Sequence, residues 1–178
     1  LSQLAPDEPE VHGLVALMEI QASRSAARTQ RDGTPILLLD QDRRKWNQIL
    51  IRRGLAALDQ AVALGGSTGV YALQAAIAAC HARAGRADQT DWQRIAALYD
   101  ELSIVTPSPI VELNRAVAYT MAFGPESGLR ILEPIMELPQ LRTYHLLPSV
   151  RGDFLAKLGR HDEARAEFAR AAEMTQNE

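Results

Sequence analysis

Cysteine, aromatic residues and surplus charge are all scarce in this chain, and each shortage excludes something. A single cysteine, Cys80, rules out an internal disulfide and fits a reducing compartment. Aromatic residues make up 5% of a sequence that is 47% hydrophobic, so alanine and leucine must carry the packing. That balance favours close helix–helix contact over a sheet sandwich, which draws on Val, Ile, Thr and Tyr. Basic residues are not in excess: 19 Lys and Arg stand against 22 Asp and Glu, with a net charge of −3. Residues 1–53 contain eight Lys or Arg but also seven Asp or Glu, so no basic half exists to receive a nucleic acid. No apolar run approaches membrane-spanning length and no secretory signal is legible, so the expected location is the cytoplasm, with no membrane partner. The opening "LSQLAPDEPE" reads as the interior of a longer protein.

What the sequence does contain is helix signal. Its 178 residues suffice for one domain or one repeat array with a real core. Val11, Leu14, Val15, Met18 and Ala22 follow the helical period, predicting a helix from about Pro9 to about Arg28. Asp32-Gly33 marks a turn, and "TPILLLDQD" is the one non-helical apolar run, expected as an extended connector. A second helix is expected from about Asp42 to "GGSTG", residues 65–69, with Trp46, Ile49, Leu50, Ala57, Leu58 and Ala61 inward. A third spans Val70 to Ala84 and buries Leu73, Ala76, Ile77 and Cys80. Thr90 and Gln93 have the spacing of a capping box. Ser108-Pro109 and Gly124-Pro125 each place proline at a first helical position. The reading is all-α: about eight helices in antiparallel hairpins.

Shifting the sequence against itself reveals a repeat. Gly152, Leu155, Ala164 and Phe168 lie 36 residues after Ala116, Tyr119, Gly128 and Leu132, small matching small and large matching large, and Ala171 follows Ile135 at the same spacing. Ile95, Tyr99 and Leu102 fit more loosely, 33 residues before Gly128, Leu132 and Ile135. Small residues are needed where two helices of a hairpin touch, and large ones fill the groove to the next hairpin. Period and pattern resemble the tetratricopeptide repeat, with Gly152, Ala164 and Ala171 at its small positions and Phe168 at its aromatic one. Pro148 stands where that repeat usually has an early tryptophan, and Pro134 interrupts a helix. The resemblance implies a right-handed solenoid with a concave face lined by the first helix of each hairpin. The expected division is residues 1–68, a helical pair with its connector outside the repeat pattern, then residues 69–178 as repeats at about 70–107, 108–142 and 143–178.

Candidates for chemistry are few. His12, His81, His145 and His161 are scattered without the spacing of a zinc helix, so no metal is expected. Cys80 reads as a core thiol, and "GGSTG" lacks the Lys-Ser/Thr of a phosphate loop. Arg151-Gly152-Asp153 spells an adhesion tripeptide but should be helical. No nucleophile sits beside a base with oxyanion donors, so neither an enzyme nor a cofactor is expected. "DQDRRKW", residues 40–46, is denser: Asp40 or Asp42 can cap a helix that Trp46 anchors, or Arg43 and Trp46 can belong to a recognition surface. Helical phase puts Gln74 and His81 on one face, Asn114 and Arg115 on a second helix, and Tyr144 and Arg151 on a third, and these six are the expected lining of a groove.

Six strings narrow the reading: "DEPEVHGLVALMEIQASRSAAR", "LLLDQDRRKWNQ", "YALQAAIAACHARA", "TDWQRIAALYDEL", "PSPIVELNRAVA" and "YHLLPSVRGDFLAKLGRHDEA". In that order, over nearly the whole chain, they resemble the C-terminal extension of a group of bacterial extracytoplasmic-function RNA polymerase sigma factors. The resemblance implies two helical sigma domains upstream of Leu1 for core polymerase and promoter DNA. It implies that the extension modulates the factor where an anti-sigma partner is absent, contacting its own sigma domains or the polymerase core without touching DNA. Asp40, Asp42, Arg43 and Trp46 would then brace the N-terminal helices or form the seam to the sigma domains. Two further readings stand beside it: a free-standing adaptor taking a peptide in the concave groove, and a small-molecule-sensing or catalytic helical domain with a pocket near Trp46, Tyr71 and His81.

Overall fold

The computed structural model describes residues 2–175, and within them the chain is helical. The eight α-helices are α1 (Pro9–Ser23), α2 (Gln48–Ala63), α3 (Val70–Arg83), α4 (Trp92–Val105), α5 (Pro109–Phe123), α6 (Pro125–Leu132), α7 (Leu146–Lys157) and α8 (His161–Thr175). Short 3-10 turns fill several connections, and the one isolated β-bridge among the described residues, Thr29 with Pro35, closes a small loop in the connector. The chain divides into two compact units between Val105 and Thr106. The break expected after residue 68 falls inside the first unit, because α3 packs along α1.

In the first unit α1 packs against both α2 and α3, and α4 packs on α3. The buried face of α1 is Gly13, Ala16, Ile20 and Ser23, not the larger apolar set that its periodicity selects. Met18 is 54% exposed. The physical reason is proximity. Gly13 lies so close to α3 that a Cβ there would meet the Ala72 nitrogen at 2.7 Å. On α2, a Cβ at Gly54 would meet Ile20 Cγ1 at 2.6 Å and the Ala16 carbonyl oxygen at 3.0 Å. Small residues let three backbones approach, and the core between them is Ala16, Ile20, Leu58, Ala61, Ala72, Ala75 and Ala79. A second cluster joins Ala27, Trp46 and Ile51, and it ties the connector to α2.

Caps explain where these helices start. Asp42 accepts from the Arg44 amide and opens a 3-10 turn, Arg43–Lys45, and α2 itself begins later, after Asn47 takes the amides of Ile49 and Leu50. The expected start at Asp42 is thus corrected to Gln48, and Ile49 is exposed on α2. The capping box also resolves differently. Asp91 accepts from the Arg94 amide at 2.9 Å, while the Thr90 hydroxyl accepts from an arginine instead. Ser108 caps α5, and Gly124, at φ +93°, turns the chain from α5 into α6.

In the second unit α5 pairs with α6 and α7 with α8, and α6 also touches α7. The residues that define the repeat sit at these contacts. Ala116, Gly128, Leu132, Gly152, Ala164 and Ala171 are buried, and Tyr119 is half-buried. A Cβ at Gly128 would collide with the Thr120 hydroxyl and stand 2.8 Å from the Ala116 carbonyl; one at Gly152 would meet the Phe168 ring at 2.7 Å. Phe168 therefore lies over Gly152, yet its ring is 44% exposed. Pro134 sits in a 3-10 turn that follows the end of α6 at Leu132, whereas Pro148 is accommodated within α7 and buried. The core is Leu113, Ala116, Leu132, Ile135, Leu141, Leu147 and Phe154.

Candidate functional site

The densest polar constellation forms around the far end of α3. Arg43, the third residue of "QDRRKW", turns inward and is only 8% exposed. Its Nη1 donates to the carbonyls of His81 at 2.6 Å and Ala84 at 2.8 Å, and its Nη2 donates to Thr90 Oγ1 at 3.0 Å. A guanidinium suits this task because its fork spans carbonyls that the helix leaves unpaired, and its charge opposes the negative end of the helix dipole. Asp42 sets up the geometry from the neighbouring position: its carboxylate holds Arg44, with Oδ1 accepting from Nε at 2.9 Å, and caps the turn that aims Arg43.

Trp46 closes the constellation at 3% exposure. The guanidinium carbons of Arg43 and Arg24 lie 5.2 and 5.8 Å from its ring centroid, within the range of cation–π attraction. His81, 8% exposed, meets Trp92 edge-on with centroids 5.2 Å apart. Burial, reinforced by the charges of Arg43 and Arg24, lowers the His81 imidazole to about 4, so it is neutral at pH 7. Burial also holds the Arg24 and Arg43 guanidiniums below the ordinary arginine value. Arg43 Nε, Trp46 Nε1, His81 Nδ1 and Gln41 Oε1 are buried without hydrogen-bond partners.

The opposite end of α3 is held from α1. Glu10 Oε2 accepts from the Tyr71 amide at 2.9 Å and Oε1 from the Ala72 amide at 3.2 Å. A carboxylate on the first amides and a guanidinium on the last carbonyls thus clamp one helix in the sense its dipole favours.

The six expected groove residues do not form one set. Gln74 and His81 belong to the first unit, and Asn114, Arg115, Tyr144 and Arg151 to the second. His81 is buried and cannot line an open surface. Gln74 is half-buried and Asn114 exposed. Arg115 donates to Glu112 at 2.9 Å and stacks over Tyr119 at 5.4 Å. Arg151 pairs with buried Glu167 across the α7–α8 hairpin, and Tyr144 tilts against the His145 ring. Of the proposed brace, Arg43 and Trp46 are buried, Asp42 is half-buried, and Asp40 is exposed in a 3-10 turn. Tyr71 lies at the other end of α3 from His81, about 15 Å along the axis, so Trp46, Tyr71 and His81 share no pocket. Sequence reasoning missed Glu10 and Arg24, since neither carries a local motif and each acts across the fold.

Nothing here assembles a nucleophile. Burial raises the Cys80 thiol, and His81, its neighbour in sequence, projects about 100° away on the helix. Among the described residues no group of three metal-ligating side chains converges, and no helix is long and apolar enough to cross a membrane.

Residues 1–62 match the family of unknown function DUF6596. An uncharacterized protein of Rhizobium meliloti (strain 1021) is 46% identical over 177 residues, which is 99% of this chain. The chain spans 41% of the length of that relative. No solved structure matches the chain.

Proposed function

We propose that this chain is a non-enzymatic, cytoplasmic, tetratricopeptide-like interaction domain that serves as the regulatory extension of an extracytoplasmic-function sigma factor. In this reading it contacts its own sigma domains or the polymerase core, and leaves promoter DNA to them. The observation that carries the reading is the agreement of repeat and packing in the second unit. Of the residues 36 apart in sequence, Ala116 with Gly152 and Gly128 with Ala164 are small and buried, and they lie in the α5–α6 and α7–α8 hairpins. Helix hairpins of this kind present surfaces to other proteins and need no catalytic group. The six ordered strings supply the sigma-factor context. A relative that continues well beyond the matched region is consistent with a domain attached to others.

The test uses that longer relative. Transcription from its own promoter should change when the segment matching this chain is deleted, while the remaining protein still folds and binds polymerase. Reduced transcription would mean that the domain activates, and increased transcription that it restrains. Unchanged transcription would overturn the sigma-factor reading and favour an adaptor.

A further inference from the structure

The seam between α1 and the connector holds three arginines that no carboxylate pairs. Arg24, Arg28 and Arg43 have no acidic side chain within ion-pair distance among the described residues, and the acidic groups around them have other partners. Asp42 holds Arg44 at 2.9 Å, Glu19 holds Arg53 at 2.5 Å, and Asp88 holds Arg86 at 2.7 Å, although Asp88 also acts on Arg43 through space. The acceptor between two of the arginines is a neutral amide. Gln21 Oε1 accepts from Arg24 and, at 3.0 Å, from Arg28, which also donates to the Gln21 carbonyl at 2.9 Å. A carboxamide stands where charge balance asks for a carboxylate.

The surroundings favour a ligand from a protein rather than a free ion. Arg24 and Arg43 share the Trp46 ring, and Arg43 Nε and Trp46 Nε1 are buried N–H donors without acceptors. The connector folds back on Arg28 through the Ile36 amide, which donates to the Arg28 carbonyl at 2.7 Å. Leu37, the next residue, is 74% exposed, and Leu38 packs against the Trp46 cluster. Two guanidiniums, Arg24 and Arg28, share the Gln21 amide oxygen, one of them lies over an indole, and exposed leucine follows in the connector, a combination that matches an acidic side chain flanked by apolar residues.

We propose that Arg24 and Arg28, backed by Trp46 and the charge of Arg43, form a receptor for an aspartate or glutamate side chain on an acidic segment of a partner protein. Arg24 and Arg28 make the contact. Arg43, committed to α3, positions Trp46 and adds field. Proximity to Arg28 and Arg43, after burial itself, holds the Arg24 guanidinium below its ordinary value, which a bound carboxylate would relieve. The inference deepens the interaction-domain reading and rests on it only for which protein carries the carboxylate.

The experiment titrates the 178-residue chain with a hexaglutamate peptide while recording tryptophan fluorescence, with inorganic phosphate and hexalysine run at equal ionic strength. Saturable binding of hexaglutamate is expected. It should weaken about tenfold or more in Arg24→Gln and in Arg28→Gln, and should fall as salt rises and the Debye length contracts below about 10 Å. Arg28 is exposed, so Arg28→Gln should keep the wild-type melting temperature and serves as the folding control. Hexaglutamate binding that ignores both substitutions would overturn the proposal. So would binding of phosphate alone with the same dependence on arginine, which would make this a free-anion site. Peptide binding that survives a negative transcription result would keep the receptor and discard the sigma-factor context.

Discussion

Gly13 sets how closely α1 and α3 can approach, because the atoms facing it belong to backbone. The Ala72 nitrogen at 2.7 Å and the Tyr71 carbonyl carbon at 3.1 Å cannot rotate away from an added methyl. Gly13→Ala is therefore expected to destabilise the chain by about 1–3 kcal/mol, through overpacking that outweighs any gain in helix propensity. A urea midpoint lowered at unchanged slope would show it, and a midpoint equal to wild type would refute the contact. His81 gives a second prediction at this scale. Its folded pKa of about 4 lies below the model-peptide value of 6.5, so on acidification the unfolded chain takes up the proton first. The stability it contributes is therefore complete above pH 6.5 and drains away as the pH falls towards 4, about 3 kcal/mol in all. The urea midpoint of the wild type should fall relative to that of His81→Phe as the pH drops across that window. Parallel curves would mean that His81 titrates normally.

At the scale of the element, α3 is the member whose ends are both held by charge. Glu10→Ala removes two acceptors from its first amides and should cost about 1–2 kcal/mol, with Glu10→Gln losing less because one oxygen remains. Arg43→Ala should cost more, about 2–4 kcal/mol, since it leaves the carbonyls of His81 and Ala84 and the Thr90 hydroxyl short of a donor in a buried place. Arg43→Lys should recover little, because one ammonium cannot span three acceptors as the guanidinium fork does. Thermal melts followed at 222 nm rank the four variants, and full recovery by lysine would show that charge alone matters. The same residues explain why α3 was legible while its surroundings were not. Apolar spacing marked Val70 to Ala84 as helical within one residue of the observed end. Thr90 looked like half of a capping box, but its hydroxyl serves Arg43, and Asp91 takes the cap. A local pattern counts donors and acceptors along the chain, and a long side chain arriving from 47 residues away changes the count.

For the whole molecule, each unit carries a core of its own. The second, from Leu113 to Phe154, buries leucine, isoleucine and phenylalanine. A fragment of residues 106–175 is expected to give a helical spectrum and a cooperative, if low, melting transition. A spectrum typical of unfolded chain would show that its core is too small to stand alone. The sequence by itself determined the all-helical class, eight helices, most of their starts and the pairs of small residues that recur at 36. Those features depend on period, cap and turn chemistry, which act within a few residues. Only the tertiary structure decided that α1 buries Gly13 and Ala16 rather than Met18, that Arg43 faces inward, and that Gln21 holds Arg24 beside Arg28. Each of these turns on which backbone comes close and which charge goes unmatched. Neither is written in the spacing of apolar residues, because both arise between segments whose separation only folding removes.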